Sequence, residues 1–296
     1  MANELKVMKT KSIIAFADYF MRNRRKVYTQ IKEVIDENNI PLMIINNCKD
    51  IWARDFMPFQ RHDGKLVFYK YAPDYLRNKE TYITPVEQVA LTPLTNNEKD
   101  SNISFTDYFS KENIIHTDLV IDGGNLIKCV DKNGEKCVIM TQKVLFENHD
   151  KSHLETLMEL ERVLQSQIIL IPWDKNEEYG HADGMVRFIE DGKLLLNNYS
   201  ESDKTLYDQL MLALNDSFEI HELKYGKYID MNSWCHINYL DTGNIILVPA
   251  VNSPSDVIAK SQIATLTGKP CELIYMPDIV NSGGALNCIS WDFLSL

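Results

Sequence analysis

Apolar residues along the chain fall into short runs that break at a glycine turn and then resume. The run at 56–60 is followed by Asp63-Gly64 and a second run at 66–69. The same pattern recurs at 125–130, Asn133-Gly134 and 137–140, and again at 185–189, Asp191-Gly192 and 194–197. A fourth unit runs from 235–240 through Thr242-Gly243 to 245–248. Asn-Gly and Asp-Gly between apolar runs predict hairpins, because both central residues of a type I′ turn need positive φ.

Helical periods follow most of these hairpins. His153–Leu164 and 207–214 carry apolar residues at helical spacing, and Ser253-Pro254 supplies an N-cap and a first-turn proline ahead of Val257, Ile258 and Ile263. The turn glycines at 64, 134, 192 and 243 are 70, 58 and 51 residues apart, a loose repeat of hairpin plus helix. Each unit alone would expose an apolar face, so the units must pack on one another. A closed ring of such units fits the length. A doubly wound sheet fits less well, since helices rather than hairpin turns should separate its strands. The stretch 84–110 is polar and irregular and reads as a surface excursion.

Composition narrows the function classes. The 296 residues are 45% hydrophobic and 25% charged, ordinary for a globular protein, and no linker-like stretch divides them, so residues 1–296 read as one domain. The net charge of −11 speaks against nucleic acid or an anionic membrane as partner, because phosphate contacts need clustered Lys and Arg. The one basic cluster, Arg22, Arg24, Arg25 and Lys26, reads as a solvated helix face. The polar stretch 1–11 lacks the apolar core of a signal peptide, and no run reaches the length of a membrane span, so a cytoplasmic protein is expected. Its six cysteines would then be reduced, and none forms a Cys-x-x-Cys pair.

Four motifs carry candidate chemistry: Trp52-Ala53-Arg54-Asp55, Asp122-Gly123-Gly124-Asn125, Gly180-His181-Ala182-Asp183-Gly184 and Ser282-Gly283-Gly284-Ala285-Leu286-Asn287-Cys288. Singly, each has a bland reading as a turn or a buried thiol. In an extended segment His181 and Asp183 would share a face. His221, His236, His149 and His153 lack such a setting and read as surface or core residues. Together a thiol, an imidazole and three carboxylates point to nucleophilic catalysis. A guanidinium suits them: two carboxylates can grip its N–H forks, a thiolate can attack its carbon, and an imidazole can protonate departing ammonia. A metal-dependent hydrolase with His181, Asp183, Asp55 and Asp122 as ligands is a rival reading.

The order of these motifs, across roughly residues 40–292, resembles that of agmatine deiminases and bacterial peptidylarginine deiminases. The resemblance implies the pentein fold, an α/β propeller of five ββαβ-type blades around a pseudo-fivefold axis. It also implies hydrolysis of a guanidino group to a ureido product, agmatine to N-carbamoylputrescine on the way to polyamines or a related arginine-derived reaction. Cys288 would be the nucleophile, His181 the general acid and base, and Asp55 and Asp183 the guanidinium clamp. Asp122 stands where the family commonly has Glu, orienting the imidazole. Trp52, Arg54, Asn125, Gly283 and Gly284 would shape the substrate pocket. The partner implied is a small cationic guanidine or an arginine side chain, with no cofactor and no metal. Peptidylarginine deimination, amidino transfer, methylarginine hydrolysis and non-catalytic guanidine binding stay open, as does assembly into a homo-oligomer. Three departures stand out: Asp122 for Glu, Phe56-Met57-Pro58 for Gly-Pro, and Ala285-Leu286-Asn287 where relatives often read Asn-Ile-His.

Overall fold

The computed structural model describes residues 12–94, 103–175 and 177–295. Four three-stranded sheets share one plan, a hairpin followed by a third strand lying parallel to the hairpin's second strand. They are Phe59–Gln60, Leu66–Lys70 and Ile114–Val120; Ile127–Val130, Lys136–Thr141 and Gln167–Ile171; Val186–Glu190, Lys193–Leu196 and Glu219–Glu222; and Leu240–Asp241, Ile246–Ala250 and Cys271–Tyr275. A parallel partner needs a crossover. In the last three sheets a helix supplies it: His153–Leu164, Lys204–Leu214 or Pro254–Thr267. The fifth sheet follows the same plan with strands from both ends of the chain. Ser290–Leu294 pairs antiparallel with Ser12–Ala17, which pairs parallel with Leu42–Asn46 across the helix Arg25–Glu37.

The hairpins form where expected, but not on type I′ turns, since Asp63, Asn133, Asp191 and Thr242 do not take positive φ. Gly64, Gly134, Gly192 and Gly243 all take positive φ, between 75° and 90°. The first and third crossover helices open on capping boxes, Ser152 with Glu155 and Ser253 with Asp256, which satisfy N–H groups that a helix start leaves unpaired.

Alternation along the middle strands builds the core. Successive side chains of a strand point to opposite faces. Leu66 and Phe68 therefore join one apolar cluster while Val67 and Tyr69 join another. Val138 and Met140 face Val67 and Tyr69, whereas Cys137 and Ile139 face Leu194 and Leu196 of the next sheet. Leu195 in turn packs with Ile246 and Val248, and Leu247 packs into the cluster that holds Leu66. Three of these layers each join two successive sheets, and the fourth holds residues of the fourth, fifth and first sheets. Among the described residues no helix is long and apolar enough to cross a membrane.

Three expectations need correction. The stretch 84–110 is not simply a surface excursion. Residues 95–102 lie outside the described part, but Ala90–Pro93 adds to the five-stranded sheet beside Leu42–Asn46, and Leu91, Phe105 and Phe109 are buried. Its few apolar residues are spaced so that they all reach one core, which a count of polar residues hides. Cys235 does not begin a strand. Ser233–Ile237 forms a 3₁₀ turn, held by Tyr225 and His236 bonding to the Ser233 carbonyl, and the fourth hairpin shrinks to Leu240–Asp241 and its partner. Ala182–Gly184 is likewise a 3₁₀ turn rather than an extended segment. Arg22, Arg25 and Lys26 are exposed as expected, while Arg24 is half-buried.

Phe105 is 1% exposed, with its ring 5.1 Å from Phe68, 4.7 Å from Phe109 and 5.9 Å from Trp291. Phe105→Ala is expected to cost about 3–5 kcal/mol of unfolding free energy. Leu212→Ala, at a side chain 81% exposed, should change it by less than about 0.5 kcal/mol. Urea denaturation followed by circular dichroism measures both, and a Phe105→Ala value matching the Leu212 control would return the stretch to the surface.

Candidate active site

The chemical motifs sit on short turns that enter or leave the hairpins. Asp55 lies in the single turn Ala53–Phe56, whose closing carbonyls, those of Asp55 and Met57, accept hydrogen bonds from the Tyr69 hydroxyl at 2.9 and 2.7 Å. Asp122 precedes the 3₁₀ turn Gly123–Asn125, and Cys288 precedes the strand Ser290–Leu294. Backbone bonds tie these turns together: the Arg54 N–H donates to the Cys288 carbonyl at 3.0 Å. The Asn125 carboxamide oxygen accepts from the N–H groups of Thr141 and Ala182 at 2.8 and 3.2 Å, which fixes the segment carrying His181.

Asp55, Asp122, His181, Asp183 and Cys288 converge, and each is at most 8% exposed. His181 Nε2 lies 2.8 Å from Asp122 Oδ2, and His181 Nδ1 lies 3.7 Å from Asp55 Oδ1. The shorter Asp122 side chain therefore reaches the imidazole directly. The Cys288 thiol points at Asp183 Oδ2 across 3.5 Å. Glycines permit this crowding. A Cβ on Gly124 would stand 2.6 Å from His181 Nδ1 and 2.8 Å from Asp55 Oδ1, while the bare backbone lets the Gly124 N–H donate to Asp55 at 3.1 Å. A Cβ on Gly284 would overlap the Trp52 ring.

Two cavities meet at this cluster. The smaller, about 200 Å³, is walled by Trp52, Asp55, Tyr75, Tyr179, His181 and Cys288. The larger, about 730 Å³, reaches His181, Asp183 and Cys288 from the other side of Tyr179. Its described lining includes the carboxylates Asp174, Glu177, Glu178 and Asp230, and neither Lys nor Arg. Gly283 lines both, whereas Arg54 and Asn125 line neither. Arg54 stands in the wall behind, paired with Asp292 at 2.5 Å, and the Asn125 carboxamide is spent on the backbone.

Sequence reading missed several residues. Asn287 appeared only as a departure that brings no charge, yet its Nδ2 donates to Asp183 Oδ2 at 2.6 Å. Arg187 Nη1 donates to Asn287 Oδ1 at 2.6 Å, and the one clue was a charge inside an apolar strand. Asn238 Oδ1 accepts from the N–H groups of Asn287 and Cys288 at 3.1 and 3.2 Å. Asp50, buried in the wall of the smaller cavity, accepts from the Trp52 N–H at 3.0 Å.

Proton affinities follow from burial and charge. Burial alone pulls the His181 imidazole down, but Asp55 and Asp122 outweigh it and hold it at about 10. Burial lifts the Asp55 carboxyl to about 8, with His181 opposing and Asp122 and Asp183 adding to the rise. Burial, then Asp183 and Asp55, push the Cys288 thiol well above its ordinary value. These shifts favour a cationic imidazole and a protonated thiol. Among the described residues no three His, Cys, Asp or Glu side chains are grouped so as to hold a metal ion.

Comparison with known proteins follows the geometry. A family profile described as Porphyromonas-type peptidyl-arginine deiminase matches residues 5–293. The fold is similar to agmatine deiminase of C. jejuni, with a TM-score of 0.66, 14% identity, and 96% of this chain and 92% of that one covered. It is similar to agmatine deiminase of Enterococcus faecalis, with a TM-score of 0.65, 15% identity, and 96% and 93% covered. It is also similar to the N-terminal domain of ArgZ, an arginine dihydrolase from cyanobacteria, with a TM-score of 0.59, 12% identity, and 95% and 97% covered. Comparison with curated protein sequences gives no match. The profile runs over nearly the whole length, and the chain belongs to the Porphyromonas-type peptidyl-arginine deiminase family.

Proposed function

We propose that this chain is a cysteine hydrolase that deiminates a guanidino group, releasing ammonia and leaving a ureido product. One observation carries the reading: a thiol and an imidazole line both of two adjoining cavities, with Asp55 in the wall of the smaller and Asp183 in the wall of the larger, and the other charged wall residues are acidic apart from Lys79. A second part of the proposal concerns architecture. The five sheets are five blades of a pentein ring formed by one catalytic domain, residues 1–296. The repeated sheet plan, and apolar layers that lead from each sheet to the next, support it.

The guanidinium enters between Asp55 and Asp183, and its charge offsets two buried carboxylates. The same charge lowers the cost of a thiolate, so the Cys288 proton leaves to solvent. The thiolate sulfur bonds to the guanidinium carbon. The adduct collapses as His181 gives its proton to the departing nitrogen, and ammonia leaves. An amidino-thioether remains on Cys288. His181, now neutral, takes a proton from water as the oxygen bonds to the same carbon. The carbon–sulfur bond then breaks as the added hydroxyl gives up its proton to water, returning the thiolate and freeing a neutral urea group. Asp122 holds the imidazole through Nε2 during both transfers. General acid–base help of this kind is worth roughly 100- to 10,000-fold.

Agmatine, yielding N-carbamoylputrescine, is the substrate we favour. The larger cavity offers carboxylates and no described Lys or Arg, which suits a tail ending in an amine. The α-carboxylate of free arginine would find no basic partner there. Peptidyl arginine is the next candidate. The six free thiols fit a reducing, cytoplasmic setting.

A citrulline-type colour assay with ammonia release, run over agmatine, arginine, peptidyl arginine and methylarginine, tests the assignment. Free amine or a transferred amidine in place of ammonia would redirect it to another guanidine-modifying reaction, and binding without turnover to a non-catalytic role. Cys288→Ala should lower kcat by roughly 10,000-fold or more, as loss of a nucleophile does. Cys129→Ala, in the core away from the pocket, should stay near normal. Iodoacetamide should abolish activity while EDTA leaves it, and the reverse result would favour the metal hydrolase.

The pH profile has a defined sign. Asp55 must lose its proton to clamp the cation, so kcat/KM rises through about pH 8. His181 must keep its proton to act as acid, so kcat/KM falls through about pH 10. Asp122→Asn removes a carboxylate that holds this proton and should move the basic limb down by roughly one to three pH units. A basic limb that stays in place would remove Asp122 from that role.

A further inference from the structure

We propose that Arg187 and Asn287 form a relay that holds the Asp183 carboxylate in its clamping orientation through a neutral donor, Arg187 acting as a positioning residue through Asn287. The proposal rests on the deiminase reading of the pocket. It starts from a constraint on the Asn287 amide, whose oxygen and nitrogen ends must be told apart. A guanidinium has only donors and a carboxylate only acceptors. With Arg187 Nη1 at 2.6 Å on one end and Asp183 Oδ2 at 2.6 Å on the other, only one orientation satisfies both. The oxygen faces Arg187 and the NH₂ faces Asp183. Arg187 is itself held, its guanidinium standing 4.9 Å from the centre of the Tyr239 ring.

The backbone leaves Asn287 little freedom. Its N–H, like that of Cys288, donates to the Asn238 carboxamide oxygen. The Asn238 NH₂ group donates in turn to the Asp183 carbonyl at 3.4 Å. The nucleophile, the amide beside it and the clamping aspartate thus share one network.

Two consequences follow. First, Asp183 Oδ2 receives a hydrogen bond that adds no positive charge, so the carboxylate is oriented without losing its pull on a cationic substrate. Second, the same oxygen faces the Cys288 thiol at 3.5 Å. Asn287 competes with the thiol for that oxygen, which weakens the hold of Asp183 on the thiol proton. The titratable and charged groups around the thiol are Asp183, Asp55, His181 and Tyr179, with Asp50, Lys79 and Glu178 farther along the smaller cavity and Arg54 in the wall behind.

The test is a set of variants assayed for guanidine turnover, after the wild type has shown activity. Asn287→Ala should raise KM roughly 10- to 100-fold, the range for a lost hydrogen bond to a charged group, with a smaller change in kcat. Arg187→Met frees the amide to turn and should raise KM roughly 3- to 30-fold. In the double variant the Arg187 change should add nothing further, because its route through Asn287 is gone. Asn287→Asp keeps size and the Arg187 contact but sets a carboxylate against Asp183, and it should be worse than Asn287→Ala. Effects that multiply in the double variant, or an Asn287→Asp variant close to wild type, would overturn the relay.

A second readout needs no turnover. The rate at which iodoacetamide alkylates Cys288, followed by mass spectrometry against pH, reports its thiolate. In Asn287→Ala the thiol becomes the sole side-chain donor to Asp183 Oδ2, and the midpoint should rise by about one pH unit. An unchanged midpoint would overturn the relay. A wild type that turns over no guanidine, yet shows the shift, would overturn the deiminase reading and leave the relay standing.

Discussion

The arrangement depends on gathering negative charge on largely buried side chains. Asp55, Asp122 and Asp183 are each at least 95% buried, within one cluster of turns. A buried charge is costly unless it is paired or hydrogen-bonded. One imidazolium cannot balance three carboxylates and a nucleophilic sulfur. The fold manages the remainder with fixed donors: the Gly124 N–H on Asp55 and the Asn287 amide on Asp183. What is left over appears as protons held on Asp55 and on Cys288. In the proposed reaction one planar cation would complete this balance.

This need explains residues that touch no substrate. Gly124 has no side chain because His181 and Asp55 occupy the space around it. Arg54 donates its backbone N–H to the Cys288 carbonyl while its guanidinium pairs with Asp292 on the strand that follows. Lys143 plays a similar part under the other wall, donating to the Tyr179 carbonyl at 2.7 Å next to Gly180 and His181. Neither Arg54 nor Lys143 lines either cavity at the cluster, whereas Lys79 stands in the wall of the smaller one.

How much of this was legible in the sequence depends on the range of each interaction. The four hairpins were legible because a tight turn is decided by a few adjacent residues, and the glycines at 64, 134, 192 and 243 supply its positive φ. The crossover helices were legible from caps and period. The turns that carry the chemistry were harder. Ser233–Ile237 is apolar enough to pass for a strand, and Ala53–Phe56 and Ala182–Gly184 carry no helical period to announce their turns. The motif residues could be picked out by their chemistry, but their partners lie far along the chain. Asn287 is 104 residues from Asp183 and 100 from Arg187, so nothing local marks the contact. Phe105 was hidden for a related reason: its polar neighbours set the average, whereas its burial is decided by Phe68 and Trp291.

In the reaction we propose, the same electrostatics gives turnover a direction. The guanidinium is attracted because it carries the charge that two carboxylates lack, and that charge also makes the thiolate affordable. Deimination removes it, since the ureido product is neutral. Once ammonia has left and water has added, Asp55 and Asp183 face a group that no longer compensates them. The imidazolium and the thiol recover their protons, and the product has lost the interaction that admitted it. A neutral donor on Asp183 fits this cycle better than a cationic one. A fixed positive charge at residue 287 would satisfy the carboxylate in both halves of the cycle, weakening the grip on the substrate and the distinction between substrate and product.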